Sequence, residues 1–277
     1  MSLNFATLWV VATPLGNPGD LSPRARETLS SVDAVLTEDT RRSGLLFSRC
    51  SIAARGFVSF HEHNEAERLP AVLDALRSGK SFALISDAGT PLISDPGYRL
   101  VRACREAGIA VSPIPGPSAP LTALCASGLP PHPFAFLGFP PRKEKELDKF
   151  FAPFENMGLT LIFFERKDRL AATLKAAHRA LGKREGCIAR ELTKTHEEFI
   201  PFTLGSLLPF TELLGEITVL IGPADKKARA PEREVLAYLA IHALPGEKPK
   251  ETAWSAAKFF PGWSAKEIYA LLLRRPA

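Results

Sequence analysis

Residues 86–97 read SDAGTPLISDPG, and this stretch decides the fold. It follows Phe82–Ser86, an apolar run with the composition of a buried strand, and it precedes Tyr98–Glu106, a helical pattern closed by Gly108. Two prolines and two glycines within the stretch predict an irregular loop between strand and helix. The order strand, loop, helix is the unit from which parallel α/β sheets are built.

The same order occurs on both sides of this stretch. Ser22-Pro23 predicts a helix start, with serine as N-cap and proline at the first helical position, and a helical pattern over Leu69–Leu76 stops at Gly79. The other predicted strands of this half are Leu8–Thr13, Ala34–Leu36, Phe57–Phe60 and Ile109–Ile114. This alternation predicts an α/β fold with a mostly parallel N-terminal sheet.

Three predicted loops of unusual composition follow strands of this sheet. They are Ala12–Asp20, Ser86–Gly97 and Pro113–Ala119. One proline-rich turn alone is best explained as the end of an element, but three at equivalent strand ends predict a shared ligand crevice, because ligands of open α/β sheets bind there. The sequence has no GxxxxGK[ST], GxGxxG or GxSxG, which argues against a P-loop, a Rossmann dinucleotide site and an α/β-hydrolase.

A second unit is richer in strands than in helices. Its predicted helix is Arg169–Leu181, and its predicted strands are Phe134–Phe139, Leu159–Glu165, Cys187–Glu191, Glu198–Phe202 and Ile217–Ile221. This composition predicts a mixed C-terminal sheet.

The last unit is helical. Helices are predicted over Glu232–Ala243 and Glu251–Phe260, and a third begins at the capping box Ser264–Glu267. The resulting expectation is two α/β domains, residues 1–117 and 118–223, followed by a small C-terminal helical extension, residues 224–277.

Length and composition fit this organisation. The chain has 277 residues, 45% of them hydrophobic, and its 24 prolines disfavour a helical bundle. Residues 107–141 lack Asp, Glu, Lys and Arg, but their many prolines exclude a membrane span, so we expect a buried crossing between the domains. The start of the chain has no signal-peptide pattern, which favours a cytoplasmic protein. Four scattered cysteines, without metal-binding spacing, predict buried thiols and no metal site.

The net charge of +5 is concentrated at one end of the chain. Residues 224–277 carry 10 basic and 6 acidic side chains, whereas residues 1–120 carry 12 of each. A basic extension on a neutral body is typical of a polyanionic partner, although a solvated helix surface explains it equally well.

Eight strings of this sequence together resemble one known family. In chain order they are ATPLGNPGD, EDTRRSGLL, HEHNE, SDAGTPLISDPG, PIPGPSA, GFPPRK, FFERKDRL and ARELTKTHEE. They resemble the ribosomal RNA small subunit methyltransferase I family of the tetrapyrrole methylase superfamily. The resemblance runs from Leu8 to Gly222, and more loosely to the C-terminus.

The resemblance implies a fold and an activity. It implies a tetrapyrrole methylase-like fold with S-adenosylmethionine in the cleft between two α/β domains. It also implies a homodimer that methylates the ribose 2′-hydroxyl of a cytidine in the decoding centre of 16S rRNA in the small ribosomal subunit. By motif position, the expected cofactor contacts are Leu15, Asp87, Gly89, Thr90, Ser118, Ala119, Phe163 or Phe164, and Thr193. Arg166-Lys167-Asp168 departs from the family pattern and adds charge beside the cleft.

The residues themselves leave the general base open. A ribose hydroxyl is a weak nucleophile, so a nearby proton acceptor is expected. The candidates are Asp39, Glu165, Glu191 and His61. Candidates for holding RNA phosphates are Arg41, Arg42, Arg190 and Lys194, and in the basic extension Trp254, Trp263 or Tyr269 could stack on bases. Each of these has an ordinary structural explanation as an ion pair, a helix cap or a core aromatic.

Other functions stay open on the sequence. The first is a small-molecule methyltransferase of the same superfamily, acting on a corrin or porphyrin precursor. The second is a ribosome-binding factor that keeps the fold without the chemistry. The third is a methyltransferase with a protein substrate, resembling diphthine synthase, which the quoted strings fit less well.

Overall fold

A computed structural model describes residues 6–53, 55–207, 215–224, 230–242, 248–260 and 262–273. The strands are Thr7–Val11 (β1), Ala34–Thr37 (β2), Phe57–Ser59 (β3), Phe82–Leu84 (β4), Ala110–Ile114 (β5), Phe134–Phe136 (β6), Thr160–Glu165 (β7), Glu185–Arg190 (β8), Glu198–Thr203 (β9) and Ile217–Ile221 (β10). The helices are Pro23–Ser31 (α1), Thr40–Arg49 (α2), Glu65–Arg77 (α3), Tyr98–Glu106 (α4), Ala119–Ala126 (α5), Glu144–Phe151 (α6), Leu170–Leu181 (α7), Glu232–His242 (α8), Pro249–Ala257 (α9) and Ala265–Leu273 (α10).

The first sheet has the strand order β3-β2-β4-β1-β5, and every pair in it is parallel. Helices cover both of its faces. Leu29 of α1 and Phe47 of α2 pack in one hydrophobic cluster, whereas Val72 of α3 and Leu100 of α4 pack in another. The predicted parallel sheet is confirmed, and all its strands end at one edge.

The second sheet has the order β6-β7-β10-β8-β9. Only β6 and β7 pair in parallel, and the other three pairs are antiparallel, which confirms the predicted mixed sheet. Phe163 and Leu174 pack in the cluster that α6 and α7 help to form. Leu124 of α5 belongs to a second cluster with Cys187 and Leu220 of the same sheet.

The proline-rich connection differs from the expectation of a buried crossing. Residues 130–134, which contain three prolines, are exposed, whereas burial is confined to separate positions such as Ile114 of β5 and Ala123 and Leu124 of α5. Proline has no backbone N–H to donate, so such a segment runs more easily over the surface than through a core. The thiols follow the prediction in part, since Cys50, Cys104 and Cys187 are buried but Cys125 is exposed.

The C-terminal helices α8, α9 and α10 have a hydrophobic cluster of their own, which contains Leu239, Ala256 and Ile268. Trp263 belongs to it, and its indole N–H donates to the carbonyl oxygen of Ala230 at 2.7 Å. The domain boundaries at residues 117 and 223 stay a prediction. None of the helices in the described segments is long and apolar enough to cross a membrane.

Candidate active site

The three predicted loops meet at the carboxyl edge of the first sheet, where backbone hydrogen bonds tie them together. We call residues 12–20, 86–97 and 113–119 the first, second and third loops. Thr13 N–H donates to Gly89 O at 2.8 Å, and Gly89 N–H donates to Thr13 O at 3.0 Å. The hydroxyl of Thr90 donates to Pro117 O at 2.9 Å. The second loop is therefore fastened to both of its neighbours.

Glycine allows this close approach at two points. Gly89 has φ +82°, and a Cβ there would lie 3.1 Å from Cδ2 of Leu15. A Cβ on Gly116 would lie 3.0 Å from the Cβ of Ala12. Side chains at these positions would push the first loop away from the other two.

A cavity of about 500 Å³ lies between these loops and the second sheet, within the usual range for small-molecule sites. Its wall on the first-sheet side consists of Leu15, Ala88, Gly89, Thr90, Ile93, Ser94, Asp95, Ser118, Ala119 and Pro120. Its wall on the second-sheet side consists of Phe139, Phe164, Glu165, Arg166, Lys167, Asp168, Leu192, Gly215, Glu216, Ile217 and Thr218.

Most residues expected to contact the cofactor line this cavity. They are Leu15, Gly89, Thr90, Ser118 and Ala119, with Phe164 rather than its neighbour Phe163. Phe163 is fully buried in the core beside α7, because successive side chains of a strand point to opposite faces.

Asp87 lies outside the main cavity. It lines a smaller one, of about 140 Å³, that shares Leu15 with the first. Its Oδ2 pairs with Arg42 at 3.0 Å, whereas its Oδ1 is buried without a hydrogen-bond partner.

Thr193 also lies outside the cavity and holds the first loop against the second sheet. Its Oγ1 accepts a hydrogen bond from Asn17 N–H at 3.2 Å. Glu191 and Thr193 both have positive φ, 49° and 63°, so this turn is a strained one. The turn and the first loop thus close one side of the cleft.

Glu165, a candidate base, lines the cavity but is fully engaged. Its side chain has no exposure, and it accepts hydrogen bonds from the backbone of Arg166 and the hydroxyl of Thr173. Its Oε2 also lies 3.4 Å from Arg169. A carboxylate with these partners is better suited to holding the turn after β7 than to accepting a proton.

The other candidate bases do not line the main cavity. Asp39 caps α2 and pairs with Arg41, whose hydrogen bonds lower the pKa of Asp39 to about 2.

The environments of Glu191 and His61 differ from that of Asp39. Burial raises the pKa of Glu191, but the hydrogen bond from the backbone of Glu216 and the Lys194 ammonium outweigh this effect, so the pKa of Glu191 is lowered overall. His61 lies past the end of β3, and its Nδ1 is buried without a partner.

The four candidate phosphate-binding cations all sit in ion pairs. Arg41 and Arg42 pair with Asp39 and Asp87 but keep 90% and 68% of their side chains exposed. Arg190 pairs with Glu198, and Lys194 pairs with Glu191 and Glu216. Exposed ion pairs contribute little stability, so Arg41 and Arg42 are accessible to another anion.

Asp95 is a cavity residue that the sequence reasoning did not select. Burial, reinforced by the negative charge of Glu38, raises the pKa of Asp95 to about 7, against a hydrogen bond with Ser86. Asp87 raises it further. No sequence signal distinguishes Asp95 from Asp87 in the second loop, because the difference lies in which neighbours each one meets in space.

Comparison with known proteins decides the family. The profile of the tetrapyrrole (corrin/porphyrin) methylases matches residues 7–208. A protein of Mesorhizobium japonicum called ribosomal RNA small subunit methyltransferase I is 46% identical over 96% of this chain and 91% of its own length. The protein of the same name from Escherichia coli O157:H7 is 40% identical over 97% and 95%. The chain belongs to the ribosomal RNA small subunit methyltransferase I family. The tetrapyrrole methylase superfamily inferred from the eight strings is also confirmed.

Solved structures agree on the fold of this methyltransferase I family member. The methyltransferase CobJ superposes with a TM-score of 0.61 at 19% identity, covering 78% of this chain and 94% of its own. Uroporphyrin-III C-methyltransferase from Thermus thermophilus, complexed with S-adenosyl homocysteine, gives 0.55 at 20% identity, covering 78% and 96%. At these identities the likeness shows the fold alone, and it confirms the predicted tetrapyrrole methylase-like architecture.

The partners of Glu165 predict a structural role for its charge. Replacing Glu165 with Gln should lower the free energy of unfolding by about 2 kcal/mol, because Arg169 then loses its buried counter-charge. Asp168→Asn, in the same turn but exposed, should change it by less than about 0.5 kcal/mol. Urea denaturation measures both, and equal effects would contradict the assignment.

Proposed function

We propose that this protein uses S-adenosylmethionine to methylate the ribose 2′-hydroxyl of a cytidine in the decoding centre of 16S rRNA. One observation carries the proposal: relatives named for methylation of small-subunit rRNA match nearly the whole chain at 40–46% identity. We infer further that the enzyme acts in the cytoplasm on the small ribosomal subunit, as a homodimer.

The cavity residues fit S-adenosylmethionine by their chemistry. Leu15, Phe139 and Phe164 offer apolar surface for an adenine ring, and the backbone at Gly89 leaves room that a Cβ would fill. On the second-sheet wall, the carboxylates of Asp168 and Glu216 suit a sulfonium and an ammonium group, whereas Arg166 and Lys167 suit a carboxylate. When bound, this cofactor supplies an electrophilic methyl group.

The substrate side of the proposal rests on accessible cations. Arg41 and Arg42 lie at the start of α2, at the same sheet edge as the three loops, and both are largely exposed. Their exposed guanidinium groups have N–H donors to spare beyond their carboxylate partners, so they are proposed to hold RNA phosphates. Arg190 and Lys194, which are less exposed, are proposed to stabilise the strained turn as well.

The basic extension offers one face suited to RNA. Lys250, Trp254 and Lys258 are spaced four residues apart and all three are exposed, with Trp254 at 65%. Lys258 Nζ lies 4.6 Å from the centre of the Trp254 ring. Trp263 and Tyr269 instead pack in the helical core, so Trp254 is the proposed stacking residue. The basic residues Lys226, Lys227, Arg229, Arg274 and Arg275 lie outside the described residues.

The small-molecule alternative gains no support of its own. The solved neighbour named for uroporphyrin-III is only 20% identical, whereas the relatives named for rRNA are twice as similar and cover the extension as well.

The reaction is tested on ribosomal subunits. Mass spectrometry of 16S rRNA from cells without this gene should show one ribose methyl fewer on a decoding-centre cytidine. Purified protein with S-adenosylmethionine should restore it on isolated 30S subunits. Methylation of a tetrapyrrole but not of 30S subunits would favour the first alternative, and failure to bind the cofactor would favour a non-catalytic ribosome-binding factor.

Ser118 tests the cofactor site. It precedes α5, but its hydroxyl does not cap that helix and instead lines the cavity. Ser118→Ala should therefore weaken S-adenosylmethionine binding roughly fivefold, by loss of one hydrogen bond, with stability unchanged. Ser22→Ala removes a real cap, since Ser22 Oγ accepts from Ala25 N–H at 3.1 Å, and should cost about 1 kcal/mol of stability without affecting binding. Calorimetry and denaturation together distinguish the two outcomes.

Trp254 tests the RNA-binding face. Trp254→Ala should weaken binding to 30S subunits by about fivefold or more, because a stacking contact is lost. Lys258→Ala should reduce the slope of log affinity against log salt concentration by about the amount expected for one phosphate contact. Ile241→Ala, an exposed apolar residue of α8, serves as the control. Equal affinities for all three variants at two salt concentrations would remove the extension from the proposal.

A further inference from the structure

The carboxylates that line the cavity differ in whether they have a cation partner. Glu165 pairs with Arg169, Asp168 with Arg166, and Glu216 with Lys194. Asp95 lines the same cavity, yet no Lys, Arg or His of the described segments forms an ion pair with it. Among the described residues, Asp95 is therefore the cavity carboxylate that lacks a cationic partner.

The backbone holds Asp95 in place more firmly than an ordinary surface loop would. Leu92 and Ser94 have φ of +71° and +70°, a region that costs a side-chain-bearing residue free energy. Gly97 has φ +116°, and a Cβ there would lie 2.5 Å from Leu84 Cδ2. The space beside Gly138 of the second unit is occupied by Ser94, since a Cβ there would lie 3.2 Å from Ser94 Oγ. The strained segment around Asp95 is thus pinned between β4 and the opposite wall of the cleft.

We propose that Asp95 is the proton acceptor for the ribose hydroxyl, and therefore a catalytic residue of the reaction. This inference rests on the proposed function. The hydroxyl oxygen forms its bond to the methyl carbon as the methyl carbon–sulfur bond breaks, its proton passes to the Asp95 carboxylate, and S-adenosylhomocysteine leaves as a neutral thioether. Water takes the proton from Asp95 after the product departs, so charge and atoms balance.

The surroundings of Asp95 suit a base that works near neutral pH. Burial, Glu38 and Asp87 raise its pKa to about 7, and Ser86 opposes them. Glu38 itself has a raised pKa, through burial and Asp87, while His61 and Arg42 lower it and Glu62 raises it. Across the cavity stand Arg166 and Lys167 with the paired carboxylates already described. A base whose pKa lies near the working pH is partly ionised there and still has a useful proton affinity.

The test is the pH dependence of single-turnover methyl transfer to 30S subunits at saturating cofactor. The wild-type rate should fall about tenfold per pH unit below pH 7 and level off above it. Asp95→Asn should lower the plateau rate by about a hundredfold or more, and its remaining rate should no longer fall with decreasing pH. Glu38→Gln removes a neighbouring negative charge that raises the pKa of Asp95. Its rate should therefore begin to fall at a lower pH than the wild-type rate, with the plateau rate retained. Asp74→Asn, an exposed carboxylate of α3, should match the wild type.

Two measurements without turnover accompany the kinetics. Asp95→Asn should bind S-adenosylmethionine within threefold of the wild type by calorimetry. The melting temperature of Asp95→Asn should exceed that of the wild type by a margin that grows between pH 4 and pH 7. The sign follows because the folded pKa, about 7, lies above the usual 3.8, so the folded wild type binds more protons than the unfolded chain in that window.

The outcomes separate the two proposals. A wild-type protein that binds the cofactor but leaves 30S subunits unmethylated overturns the proposed function. If the wild type methylates the subunits and Asp95→Asn has the same plateau rate and the same fall of the rate at low pH, only the role of Asp95 is overturned. If Asp95→Asn fails to fold, the pH profile of Glu38→Gln decides. The role of Asp95 is overturned if the rate of Glu38→Gln begins to fall at the same pH as the wild-type rate.

Discussion

The pair of backbone hydrogen bonds between Thr13 and Gly89 is the constraint on which the site depends. Parallel strands bring their carboxyl ends to one edge, but nothing in that arrangement makes the following loops touch. The Thr13–Gly89 bridge joins the loops after β1 and β4, and Thr90 extends the connection to the loop after β5. Through these bonds the three loops form one wall, and the side chains of Leu15 and Ser118 line the same cavity.

The charges around the cavity are arranged in two ways. On the second-sheet wall, each of the carboxylates of Glu165, Asp168 and Glu216 has a cationic partner. On the first-sheet side, Glu38 and Asp87 both raise the pKa of Asp95, whereas the arginine of this region, Arg42, pairs with Asp87. The second-sheet wall is thereby suited to a structural role, and the first-sheet side to proton exchange.

The sequence predicted the fold well and the site in part. Both sheets were predictable because apolar runs and Gly/Pro loops are local signals, but α2 was missed since Gly44 and two arginines obscure its apolar face. Strand alternation alone could not say whether Phe163 or Phe164 faces the cavity, because both faces of the strand are apolar. Asp87 and Asp95 share one motif, and only the position of Arg42 on α2 makes the first a paired carboxylate and leaves the second unpaired.

A fold does not by itself determine a substrate, so recognition of rRNA has to come from particular groups on this chain. The main cavity is only about 500 Å³, so the proposed substrate, a nucleotide within a ribosomal subunit, would be held largely by groups outside it. Arg41 and Arg42, the proposed phosphate contacts, lie in the first turn of α2, whose start is capped by the carboxylate of Asp39. Arg42 lines the smaller cavity beside the first loop. The exposed Trp254 face, proposed as a second region of RNA contact, lies on helices with a separate hydrophobic core. The proposed mode of recognition therefore adds RNA contacts outside the cavity rather than enclosing the substrate within it.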